Sequence, residues 1–355
     1  MINLKNFLFI AVVFFLNTAF VLAAVDENAK IRFLHHSTGG NLYSQGNVAD
    51  WFSNYNLTNS TNYNISEINY PTNGYPWNNY PYDWWNLWVT ENPDSTPRTP
   101  ACQSGNANME CLDNLTTQYD VIIFKQCFPG ANIIPDTGNP DVASSVKTLE
   151  NYKEQYRAIR KELDKYPNNL FIVWTLVPLH RLATDAEKAD RAKEFVDWVN
   201  NDWLTEDGNN HPNIKIFDFW SYVAESDPNP TNGQVNTLKY EYERSHTGSD
   251  SHPNTLANQT VGPIFSQAIV DDINDFSTPS SSLRSDVDNN SQINTTDAML
   301  TLRNSLGLDM SGTNWQSSST TGDVNCDGNS NSTDAMLILR YSLGLEMSTT
   351  GWCVN

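Results

Sequence analysis

The C-terminal part of the chain repeats itself. Asp297–Trp315 and Asp334–Trp352 lie 37 positions apart and agree at 14 of 19 positions, so both stretches are expected to adopt one local structure. Each copy opens on oxygen-bearing side chains: Asp286, Asp288, Asn290 and Asp297 in the first, Asp323, Asn325, Asp327 and Asp334 in the second. These are positions 1, 3, 5 and 12 of a twelve-residue loop, with the main-chain carbonyls of Gln292 and Asn329 at position 7. A hard cation such as Ca2+ takes this donor set. Position 6 favours glycine for the turn, which Gly328 supplies and Ser291 does not; the second loop therefore fits better. Turns and helix caps rich in Asp and Asn are the plainer alternative. Each loop runs into the helix-like D-A-M-L-x-L-R-x-S-L-G-L. Position 8 is Ile293 in the first copy and Ser330 in the second, a loss of apolar packing under the second loop.

The rest of the chain divides by composition. Lys5, an apolar run from Phe7 to Leu22 and then Ala23 and Ala24 predict a signal peptide over 1–24 and an exported protein, an uncleaved anchor being the alternative. The stretch "STPSSSLRS" over 277–285 is of linker composition. Between them, 25–276 alternates strand-length apolar runs (Ile31–Leu34, Val121–Lys125, Leu170–Val177, Ile214–Phe219) with helical patterns near 142–165, 185–204 and 256–275. That rhythm predicts an α/β domain, three layers with a parallel sheet in the middle, whose ligands bind beyond the carboxyl ends of the strands. Residues 54–118 break the rhythm and carry no assignable pattern. A formal charge of −20 excludes a nucleic-acid binder that would need a basic face.

Of five cysteines, Cys102 with Cys111 and Cys326 with Cys353 are expected to pair in an oxidising compartment. Cys127, ending "VIIFKQC", then reads as a buried free thiol, a catalytic thiol being the alternative.

The duplicated loop followed by an L-x-L-R-x-x-L-G-L helix makes 286–355 resemble a type I dockerin. The resemblance implies a small all-α module with two Ca2+ sites that docks on a cohesin domain of a scaffold protein. Loop positions 10 and 11, here Thr295, Thr296, Ser332 and Thr333, would help choose the partner.

In the large domain, "IRFLHHSTGG" places Ser37 just after the first strand, and "GSDSHPNTLANQ" places Asp250 and His252 before the last helix. Serine hydrolysis needs a nucleophile, a base and an orienting carboxylate, and this chain order resembles the SGNH (GDSL-type) hydrolases, more closely a branch with "HHSTG" and "DSHPN". The resemblance implies Ser37 as nucleophile, His252 as general base and Asp250 as its carboxylate. Gly74 would supply an oxyanion amide, and Gln126 or Asn132 an amide side chain. The chain departs from the family: Gly-Asp is missing before the serine, Asp250 and His252 are spaced D-x-H, and no G-x-N-D block is present. The resemblances together imply a secreted serine esterase that removes O-acyl groups, such as acetyl, from polysaccharide. A glycan-binding protein that kept the fold without the chemistry is the alternative.

Other readings stay open here. His35 and His36 face opposite sides of a strand, so a metal site would use one of them with Asp250 and His252. His246 competes with His252 as base, His180 reads as a satisfied loop residue near the site, and His211 as surface loop. The stretch "YPWNNYPYDWWNLW", with seven aromatics in fourteen residues, divides between core packing and a sugar-stacking wall.

Overall fold

The computed structural model describes residues 27–70, 80–90, 112–277, 285–288, 290, 292–315 and 321–353. The expected signal peptide, Gly74, Cys102, Cys111, Ser291 and nearly all of the linker lie outside the described residues. No described helix is long and apolar enough to cross a membrane.

Five strands form one parallel sheet. They are β1 (Lys30–His35), β2 (Asn64–Asn69), β3 (Val121–Lys125), β4 (Leu170–Trp174) and β5 (Ile214–Phe217), in the order β2-β1-β3-β4-β5. Register runs Ile31 opposite Val121 and Val121 opposite Leu170. All residues of β3 and β4 are buried, which is why they read as unbroken apolar runs. Side chains alternate between two cores. Ile31, Phe33, Val121, Ile123, Leu170 and Ile172 enter one; Leu34, Ile122, Phe124, Phe171 and Val173 enter the other.

The first core is covered by α1 (Ser37–Gln45), α2 (Val48–Asn59), α7 (Phe219–Val223) and α8 (Thr255–Ser277), through Leu42, Phe52, Val261 and Phe265. The second is covered by α3 (Pro81–Trp88), α5 (Leu149–Leu163) and α6 (Ala186–Asn201), with α4 (Leu112–Gln118) below. These layers agree with the expected architecture. The helices start later than their sequence patterns: α5 begins at Leu149 because Thr148 accepts the Asn151 amide as its cap, and α6 at Ala186 because Asp185 accepts that of Lys188. In the aromatic stretch Tyr80, Trp84 and Trp88 are buried, and Tyr82 and Trp85 pack against the same core. The described aromatics there hold α3 on the sheet and form no open wall.

α1 and α8 approach at backbone contact. A Cβ on Gly262 would lie 2.6 Å from Gly46 Cα, and one on Gly46 2.9 Å from Gly262 Cα. Asn258 on α8 donates to Gln45 Oε1 at 2.8 Å across the same crossing.

The C-terminal module holds α9 (Thr295–Ser305) and α10 (Ser332–Ser342), packed on Val324, Ala298, Leu337 and Ile338. Both helices end in the same way, with Gly307 and Gly344 at φ +66° and +67°, a conformation that glycine adopts freely. Cys326 and Cys353 are joined with Cα atoms 6.0 Å apart, and Cys127 is free and buried, as expected.

Candidate functional site

A parallel sheet of this order changes the direction of its crossovers between β1 and β3, and a crevice opens there beyond the carboxyl ends. Ser37, the exposed first residue of α1, stands in that place. The His36 side chain at the N-cap makes no capping hydrogen bond; the Gly39 amide donates to the His36 carbonyl at 2.8 Å, so the amides of Ser37 and Thr38 are the ones that can face an anion. The glycines after Ser37-Thr38 have a steric purpose. A Cβ on Gly39 would clash with the His35 side chain and stand 2.9 Å from Lys125 Cδ, and one on Gly40 would be 3.1 Å from His35 Cε1.

Asp250 and His252 form a dyad. Asp250 Oδ1 lies 2.5 Å from His252 Nδ1 and also accepts the His252 amide at 3.0 Å. Burial alone would raise the Asp250 carboxyl, but the amide and ring of His252, with Arg244 beyond at 3.4 Å, bring it below its ordinary value. The His252 ring meets Phe128 edge-on at 4.8 Å between centroids. Ser37 Oγ lies 3.9 Å from Cys127 Sγ. Ser37 and His252 thus both lie against residues 127–128, but the Ser37 hydroxyl faces the sulfur and makes no hydrogen bond to His252.

The loop bearing the dyad is pinned by a residue that sequence reasoning passed over. Glu243 is fully buried, its Oε2 3.1 Å from His180 Nε2 and 2.9 Å from His246 Nδ1, its Oε1 3.0 Å from Arg181 Nε. His180 Nδ1 accepts the Leu182 amide, which places the ring proton on Nε2, where it donates to the Ser245 carbonyl at 3.1 Å beside Glu243, and the His180 amide donates to Ser251 Oγ. His246 therefore belongs to the scaffold of the loop. His180 is satisfied, as expected.

Three expectations need correction. Gln126 is fully buried and donates its amide to Tyr156 OH at 3.1 Å, on the opposite side of the strand from Ser37, so it cannot serve an oxyanion. Asn132 is exposed at the end of the 3-10 turn Phe128–Ala131 and remains a candidate. The metal reading of the histidine pair fails: His35 Nε2 donates to Glu67 Oε2 at 2.6 Å, and among the described residues His36 does not gather with Asp250 and His252 into a ligand group. Burial and neighbouring Lys125 push the His35 pKa down to about 3. His211 is no surface residue: it is buried, between Asp164 at 2.7 Å and Asp207 at 3.2 Å.

In the C-terminal module the carboxylates of Asp286, Asp288 and Asp297 converge within 4.8 Å of one another, the one such acidic group among the described residues. Asp288 is pushed up to about 6, by burial and then by repulsion from Asp297 and Asp286, the strain that a cation relieves. The first loop therefore gathers its carboxylates more tightly than the second, although Ser291 had made it the weaker fit in sequence. In the second loop Asp323 accepts the amides of Asp327 and Gly328, both at 3.0 Å, and Asn325 stands where the first loop has Asp288. Asn290, Gln292, Asn325, Asp327 and Asn329 occupy their expected loop positions. Position 12 closes each loop: Asp297 accepts Val287 and Asn294 amides, Asp334 those of Val324 and Asn331. Thr295, Thr296, Ser332 and Thr333 are exposed at the helix starts.

The Ser330 hydroxyl is buried with no partner among the described residues, pressed on Gly322. Ser330→Ala is expected to stabilise the module by about 1 kcal/mol, since an unmet buried hydroxyl is removed; thermal unfolding of the two proteins measures it, and a loss of stability would show that the hydroxyl is paired.

Residues 284–343 match the family model of the dockerin type I domain. The match starts two residues before the first calcium-loop aspartate and covers α9 and α10. No curated protein matched the chain, and no solved structure did. The C-terminal module is thus a type I dockerin domain, and the large domain stands on its own geometry.

Proposed function

We propose that the protein is an exported serine ester hydrolase that removes O-acyl groups, acetyl being the first candidate, from polysaccharide. Its dockerin domain tethers it to a cohesin-bearing partner and binds Ca2+. Asp286, Asp288, Asn290, Gln292 and Asp297 would hold one ion, and Asp323, Asn325, Asp327, Asn329 and Asp334 the other. The ions close the loops on which α9 and α10 start. The observation that carries the catalytic reading is the Asp250–His252 dyad at 2.5 Å, beside the switch point where Ser37 opens an uncapped helix.

In this reading Ser37 Oγ attacks the ester carbonyl while His252 Nε2 takes its proton. Asp250 holds Nδ1 and balances the imidazolium. The first amides of α1, with the Asn132 side chain, face the oxyanion. His252 then protonates the leaving sugar oxygen, and water, deprotonated by the same ring, releases the acid. The Ser37 hydroxyl must turn from Cys127 toward His252 for the first step, and such contacts often close only with substrate bound. Its resting orientation favours the second reading, a glycan binder without turnover.

Hydrolysis of short-chain aryl esters and acetylated xylan separates the two. Ser37→Ala and His252→Ala are each expected to lower kcat at least about a thousandfold. Turnover that survives Ser37→Ala would refute the nucleophile, and a wild type that binds xylan but cleaves no ester would establish the binder.

A further inference from the structure

Lys125 is fully buried, and no carboxylate among the described residues pairs with it. Its side-chain nitrogen donates to the Gln126 carbonyl at 3.3 Å; burial pushes its pKa below the ordinary lysine value, and the neighbouring Cys127 sulfur works against that shift. A buried cation without an anion is strongly unfavourable, and the Cys127 sulfur is the neighbouring group that can carry a compensating negative charge. Lys125 and Cys127 are two residues apart on extended backbone, and both face α1. Around the sulfur stand Thr38 Oγ1 at 3.6 Å, Ser37 Oγ at 3.9 Å, the Phe128 amide and the Lys125 ammonium. A thiol has one proton to give and little use for four donors, whereas a thiolate accepts from all of them.

We propose that Lys125 and Cys127 form a buried ammonium–thiolate pair, and that the thiolate is a positioning group that orients the Ser37 hydroxyl and the first turn of α1. The role of Ser37 rests on the esterase reading; the pair itself does not. Burial raises the thiol, but Lys125 first, then Thr38, the Phe128 amide and Ser37, bring it below its ordinary value. The other ionisable groups around the pair are His35, kept uncharged beside Lys125 with its ring on Glu67, His36 at the end of β1, and His252 across Phe128. Cys127 is 2% exposed, so it is no nucleophile for a polysaccharide ester. During attack the proton of Ser37 goes to His252; the sulfur forms no bond and gives up only a hydrogen bond.

Thiolate absorbance near 240 nm tests this, as the difference between wild type and Cys127→Ala across pH. The band is expected to persist at least one unit below the ordinary thiol midpoint of about 8.5. It should move up by more than one unit in Lys125→Met, and by roughly half a unit in Ser37→Ala and Thr38→Val, which each remove one donor. A midpoint at or above the ordinary value overturns the pair. A midpoint unmoved by Ser37→Ala overturns the positioning role. If Lys125→Met does not melt cooperatively, the wild-type midpoint and the two α1 variants decide. Because absorbance needs no turnover, a chain without esterase activity still answers; that result would remove the esterase and leave the pair standing. With turnover, Cys127→Ser is expected to lower kcat about tenfold at nearly constant KM, and an unchanged kcat and pH profile would overturn the positioning role.

Discussion

Gly262→Ala is expected to destabilise the large domain by about 3 kcal/mol, lowering its melting temperature by roughly 6–12 °C. The added methyl would stand 2.6 Å from Gly46 Cα, with the Gly46 carbonyl carbon at 2.9 Å. These neighbours are backbone, so no rotamer change relieves the overlap and the two helices must separate. Separation tilts α1, whose first residue is Ser37, so ester turnover should fall more than stability alone explains. Gly248→Ala is the control, because its methyl would meet Ser245 at 3.4–3.5 Å, ordinary contact. A scan that finds both variants melting with wild type would show that the helices are not in backbone contact.

Calcium removal should have the second large effect. Asp286, Asp288 and Asp297 repel one another, and metal-site free energy is folding free energy where such groups must gather. Chelation is expected to melt α9 and α10, seen as lost helical circular dichroism, while the large-domain transition stays in place. Calorimetry should count two ions per chain, and one in either Asp297→Ala or Asp334→Ala. An unchanged spectrum in chelator, with no heat on adding Ca2+, would mean that the caps alone hold the loops.

The parts of this fold that were legible in sequence are those whose side chains share one environment. β3 and β4 are buried on both faces and read as apolar runs; the duplicated loops read because ligand spacing is local. β2 escaped because it is the sheet edge: "NISEIN" is largely exposed or half-exposed, so nothing in it required apolar residues. Ser37 and the Asp250–His252 pair were found through chain order. Glu243 and Glu67 were missed, since each acquires its role from partners far off in sequence: His180 is 63 residues before Glu243, and His35 is 32 before Glu67; Lys125 was missed because complete burial, and not a distant partner, gives it its role. A lysine closing a strand of five buried residues was the one available signal of a buried charge. His211 misled for the same reason, its partner Asp164 lying 47 residues away.

If the proposed function holds, the chain is tethered to a cohesin-bearing partner at one end while its large domain works on polysaccharide at the other, and tension then runs along it. The crosslink between Cys326 and Cys353 spans 27 residues, with α10 and most of the second loop inside the ring. A tension that strips the module open can pass through the sulfur bridge and leave that ring unextended. At 3.3–3.6 Å per residue the bridge withholds roughly 90 Å of contour, which makes the second half of the module a short, stiff link in a tether whose first half can still pay out.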